Sequence, residues 1–88
     1  MKADSQNITR LLNTAKGQVQ GVINMIEEDK YCIEISNQIL AAIAVLKKAN
    51  QEIIKAHLNC CVKEAFEAGI NTEEKIEEVI KIIGKMTK

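Results

Sequence analysis

Apolar residues return along this chain at steps of three and four, the spacing that keeps one face of an α-helix out of water. Ile8, Leu12, Ala15, Val19, Val22 and Ile26 form the first series, a heptad seam suited to antiparallel or supercoiled helix packing. It predicts a first helix from Ser5 to Glu28, capped at its start by Asp4 or Ser5 and ended by the polar corner Glu28-Asp29-Lys30. Ile39, Ala42, Leu46, Ala49 and Ile53, widened by Ile43, Ile54 and Leu58, make the second series. They predict a helix running without a break from Ile33 to Ala68, where Gly69 supplies a stop. Asn71, with Glu74 three residues on, reads as a capping pair for a short third helix carrying Ile76, Val79, Ile80, Ile83 and Met86 opposite a charged face.

A second helix of roughly 35 residues would be roughly 50 Å long, more than two short neighbours can cover. Oligomerisation is therefore expected, the broad apolar surface of helix two burying against a second copy in a dimeric four-helix core that can pair again. Gly17 and Gly21 each cost about 1 kcal/mol relative to alanine inside a helix. Their four-residue spacing is read as tight packing of helix one against the long helix.

Composition agrees with an all-α, three-helix chain. There is no proline, one Phe and one Tyr, while Ala, Ile, Leu, Glu and Lys abound. Its 88 residues make a single domain, 1–88, of a size that often leans on a metal or a partner subunit for stability. No linker, repeat or low-complexity stretch divides it. Nothing reads as a signal peptide or a membrane span, so the cytoplasm is the expected compartment and no membrane partner is expected. Twelve Lys and Arg balance twelve Asp and Glu, and residues 1–30, 31–70 and 71–88 each hold four of either sign. No basic tail advertises a nucleic-acid partner.

The candidate chemistry is a soft-ligand set split across the chain, Tyr31-Cys32 and then His57-Leu58-Asn59-Cys60-Cys61. Four residues apart on a helix, His57 and Cys61 stack on one face, so an imidazole nitrogen and a thiolate can converge on one ion. A third donor must come from elsewhere in the fold or from another subunit. Cys32 is the candidate, because thiolates favour copper(I) and zinc. Cys60 stands beside the pair as an alternative ligand, a spare thiol, or a partner of Cys32 or Cys61 in oxidation. Taken singly, each cysteine also fits a small buried hydrophobe and the histidine a satisfied core residue; their joint spacing is what favours ligation. No phosphate-binding glycine loop is present and no general base sits at a recognisable spacing, so the chain is not read as an enzyme.

Gly17-Gln18-Val19, Gly21, the run Met25-Ile26-Glu27-Glu28-Asp29-Lys30-Tyr31-Cys32, and His57 with Cys61 resemble the copper-sensitive operon repressor family, whose frame is shared by nickel and formaldehyde sensors. The similarity extends from Arg10 to Lys85. The resemblance implies a three-helix protomer, an antiparallel dimer with a four-helix core, a dimer of dimers, and metal sites between protomers. It places copper(I) on Cys32 of one protomer and on His57 and Cys61 of its partner. Tyr31 and Glu77 would then stand behind the ligands and hold the free ring nitrogen of His57, tying metal to the third helix. The nickel and cobalt branch tends to carry His where Cys61 stands, and the persulfide branch lacks the histidine, so copper(I) fits best, with zinc or another soft metal as competitor. The implied function is a repressor that binds operator DNA without metal and releases it when copper(I) is bound.

One departure stands out. Thr14, Gln20 and Asn24 occupy positions of helix one where the family is rich in basic residues. Arg10, Lys16, Lys47, Lys48 and Lys55 remain as candidate phosphate contacts, and each missing contact flattens the salt dependence of DNA binding by about one unit of log-log slope. The thinned set and the neutral charge also motivate a copper-buffering helical oligomer without operator binding, and the surplus thiol motivates a thiol sensor in which Cys32 and Cys60 or Cys61 react with oxidant, persulfide or aldehyde.

Overall fold

The computed structural model describes residues 1–62, 67 and 72–86, and the described residues are helical with no strand. Helix α1 spans Ser5–Glu27, α2 spans Cys32–His57, a π-helical turn follows at Leu58–Val62, and α3 spans Thr72–Met86. Two compact units emerge, one formed by Ser5–Asn50 and one by Met1–Asp4 with Gln51–Lys88.

In the first unit, α1 begins where the sequence predicts and leaves Asp4 just before its first residue. It stops by backbone chemistry. Asp29 takes a left-handed conformation (φ 55°), which lets its N–H donate to Ile26 O at 3.1 Å and the Lys30 N–H donate to Met25 O at 3.0 Å. This pair of reversed bonds satisfies carbonyls that the last helical turn leaves without partners. Tyr31 then opens the next helix, its carbonyl accepting the Ile35 N–H at 3.1 Å.

The predicted seam is displaced by one residue at alternate positions. On α1 the buried residues are Ile8, Leu11, Ala15 and Val22, while Leu12, Val19 and Ile26 are exposed, Ile26 by 60%. The physical reason is that α1 carries two parallel apolar stripes, and the series read from the sequence steps between them. Leu11 belongs to the buried stripe; Leu12, Val19, Ile23 and Ile26 form the other. Gln18 takes the seam position between Ala15 and Val22, and its Oε1 is buried without a hydrogen-bond donor among the described residues. On α2 the same correction applies: Ala42 and Ala49 are buried as predicted, with Ile35 and Val45 half-buried in line with them, whereas Ile39 and Leu46 face outward.

Gly17 and Gly21 are also corrected. A Cβ built on either would meet nothing within 4 Å, so no packing among the described residues accounts for them.

In the second unit, the expected unbroken helix to Ala68 gives way. The α-helical repeat ends at His57 and the wider π-helical turn takes over. Asn59, Cys60, Cys61 and Val62 all belong to the weaker helix formers, so no local preference defends α geometry there. The turn packs against α3. On α3 Val79 is buried and Met86 half-buried as predicted, Ile82 joins them half-buried, and the predicted Ile76, Ile80 and Ile83 are exposed. The Gly69 stop and the Asn71 cap lie outside the described residues.

Candidate metal centre

Cys32 is the first residue of α2 and is exposed. Its position is set by the α1 stop, since the left-handed Asp29 and the Tyr31 carbonyl fix where the second helix starts. Tyr31, adjacent to it, is 69% exposed. Both side chains of this pair are therefore open to solvent, in the first compact unit.

His57 is the last residue of α2 and belongs to the second unit. It is half-buried and forms part of the wall of a cavity of about 220 Å³ that it shares with Ile53, Ile54, Val79, Ile82 and Glu78. The apolar lining comes from one face of α2 and one face of α3, and Glu78 is the acidic group on it. Glu77 does not line this cavity. It lies on a neighbouring groove of about 280 Å³ with Glu74, Glu78 and Lys81. The acidic first turn of α3 suits the positive end of a helix dipole, which accounts for Glu73 and Glu74 without any ligand role.

The α-helical spacing expected for His57 and Cys61 is not what the backbone adopts. His57 closes the α-helix, while Cys60 and Cys61 lie in the π-helical turn, with Cys60 half-buried. Such single turns are a recurrent device at functional sites, because the extra residue re-aims the side chains that follow. Among the described residues, no three His, Cys, Asp or Glu side chains gather into a metal-binding group. His57 with the cysteines of the π-helical turn on one stretch, and Tyr31 with Cys32 on another, are the groupings the fold makes.

The donor types fit a soft, thiophilic ion better than a hard one. Two thiolates and an imidazole suit copper(I) or zinc, whereas magnesium or calcium would call for oxygen donors. The candidate phosphate contacts Arg10, Lys16, Lys47, Lys48 and Lys55 are all exposed. Arg10 is steadied by donating from Nη2 to Asn7 Oδ1 at 2.9 Å. Sequence reasoning missed Glu78 and Ile82 as neighbours of His57; the predicted face of α3 held Val79 of the same cavity and passed over Ile82.

Residues 4–85 match the family described as metal-sensitive transcriptional repressor. The copper-sensing transcriptional repressor CsoR of Bacillus subtilis (strain 168) is 35% identical over 85 residues, covering 97% of this chain and 83% of its own. The copper-sensing transcriptional repressor RicR of Mycobacterium tuberculosis is 35% identical over 83 residues, covering 93% and 86%. Among solved structures, the copper-sensing repressor CsoR with Cu(I) from Geobacillus thermodenitrificans NG80-2 superposes with a TM-score of 0.84 at 35% identity, covering 94% of this chain and 85% of that one. The nickel-responsive transcriptional regulator InrS shares the fold, with a TM-score of 0.81 at 24% identity over 98% of this chain and 96% of that one.

Proposed function

The chain belongs to the family of metal-sensitive transcriptional repressors, and from that premise we propose that it represses transcription by binding operator DNA without metal and releases that DNA when copper(I) is bound by Cys32 of one protomer with His57 and Cys61 of another. The observation that carries the reading is the continuity of α2. Cys32 is its first residue and His57 its last, across 26 residues. A helix of that length is about 39 Å from end to end, so its two ends cannot meet on one ion. A site that uses both therefore takes them from different chains, and an antiparallel pair of α2 helices sets the start of one beside the end of the other. The names of the similar repressors, which sense copper, support the choice of ion.

Copper(I) would supply a linker between two chains that the thiolates and imidazole hold in one arrangement. The protein's part is to convert that linkage into a change at the DNA. His57 sits where α2 meets α3 through their shared cavity, so a ligand that fixes its ring also fixes the packing of α3. Tyr31 and Glu77 are assigned to hold the ring nitrogen that does not face the metal. By linkage, if copper weakens operator binding by some factor, operator DNA weakens copper binding by the same factor.

An anaerobic copper(I) titration against a competing chelator, read in parallel by fluorescence anisotropy on DNA from upstream of the protein's own gene, tests this reading. One copper per protomer and loss of bound DNA are expected. His57→Ala should keep copper affinity through the thiolates and lose the release; copper-driven release intact in that variant would overturn the mechanism. Tight copper binding by a protein that ignores DNA at low salt would instead make it a copper buffer.

A further inference from the structure

Twelve carboxylates are spread along the chain, yet none lies between Ser5 and Ile26. Over that stretch α1 carries only Arg10 and Lys16 as charged residues. Its solvent face is instead built from amides and hydroxyls. Ser5, Gln6, Thr9, Arg10, Asn13 and Thr14 line an open groove of about 670 Å³, and Gln20 and Asn24 continue the same face, their side chains joined by a 3.0 Å hydrogen bond. A merely solvated helix in a chain that is 27% charged would be expected to show lysines and glutamates there. Gly17 and Gly21 lie on this face too, with open space where their side chains would be.

Resting on the repressor reading above, we infer that this face of α1 reads the operator by short-range hydrogen bonds from uncharged side chains, with Asn13 and Thr9 against base edges and Arg10 as its main charged anchor. Asparagine presents a donor and an acceptor side by side, the pattern that pairs with the edge of adenine in the major groove. Freedom from carboxylates removes the repulsion that a polyanion would meet, and Thr14 Oγ1, which donates to Arg10 O at 3.0 Å, keeps its own hydroxyl hydrogen turned inward along the helix. The glycines let a sugar-phosphate strand approach the helix backbone more closely than side chains would allow. At about 100° per residue, the centre of this face, at Asn13 and Asn24, points about 110–130° away from the exposed apolar stripe of Leu12, Val19, Ile23 and Ile26. A second copy is served by the apolar stripe, which leaves the polar face to DNA.

The test is anisotropy of the apo protein on its upstream duplex and on a scrambled duplex of equal length, each across a salt series. Asn13→Ala should weaken binding to the upstream duplex about tenfold, leave the scrambled duplex unchanged and leave the salt slope unchanged. Arg10→Gln should lower the slope on both duplexes by about one unit. Gly17→Ala with Gly21→Ala should raise the melting temperature, because a Cβ meets nothing among the described residues, and still weaken operator binding. The inference is overturned if these α1 variants bind the upstream duplex as the unmodified protein does while Lys47→Gln with Lys48→Gln abolishes binding. It is equally overturned if the glycine variants change the mass of the assembly, which would make the face a contact between copies. An unmodified protein that fails to distinguish the two duplexes sinks the inference alone; one that binds neither sinks the repressor reading with it.

Discussion

Asp29 does the work usually left to glycine. A left-handed residue with a Cβ is strained, and Asp tolerates it better than most because its short side chain can bond locally. Asp29→Gly should therefore stabilise the protein by about 0.5–1 kcal/mol, read by urea unfolding at fixed protein concentration. A variant no more stable than the parent would mean that the carboxylate itself anchors the turn. The nearby Lys30–Glu28 ion pair, 3.8 Å apart with both side chains more than half exposed, contributes little either way. At the metal end, two adjacent acids compete for one role. Glu77→Gln should cut copper-driven DNA release while copper affinity falls by less, and Glu78→Gln is its control. If Glu78→Gln alone uncouples the two, the acid that shares the cavity with His57 holds the ring. Residue type made Cys32, His57 and Cys61 readable as candidate ligands, since ligand preference is written in the atoms. Which of two adjacent glutamates approaches His57 was not readable, because it depends on the rotation of α3 about its axis.

At the scale of elements, the start of α1 and the turn after it were legible because Asp4, Ser5 and the Glu28-Asp29-Lys30 corner are local signals whose chemistry needs no distant partner. The phase of each helix was not. Where Leu11 and Leu12 stand side by side, periodicity alone accepts either, and only the neighbours decide that Leu11 is buried and Leu12 is not. Leu11→Ala should cost about 2–5 kcal/mol of stability. Leu12→Glu should leave helicity intact by circular dichroism and shift sedimentation toward smaller species; unchanged assembly would show that the outer stripe is not a contact between copies. The π-helical turn left no signature either, since neither glycine nor proline marks it. It arises where weak helix formers follow one another at the end of a long helix, which is a matter of what fails to hold α geometry. Gln18 adds a polar position to the seam, a device that lowers stability while restricting register.

For the whole molecule, the exposed apolar residues matter more than the few buried ones. Leu12, Val19, Ile23 and Ile26 on α1, with Ile39, Leu40, Ile43 and Leu46 on α2, are all at least 40% exposed, which is more apolar surface than a solitary domain of this size leaves in water. Equal numbers of acidic and basic side chains provide no long-range repulsion to keep copies apart. No helix among the described residues is long and apolar enough to cross a membrane, so these stripes are not membrane spans.

The unbroken run of α2 from Cys32 to His57 also has a genetic consequence. A chain that contributes a cysteine to one site and a histidine to the other is never wholly broken by a lesion at one end. Subunits bearing Cys32→Ala, mixed with subunits bearing His57→Ala, should form heterodimers with one intact site and one site lacking both donors. Copper-driven release of DNA by such hybrids, measured after co-expression with two different tags, should be partly restored and well above that of either variant alone. If each site were built within one chain, mixing would restore nothing, and both alleles would behave as recessive losses that cannot rescue one another.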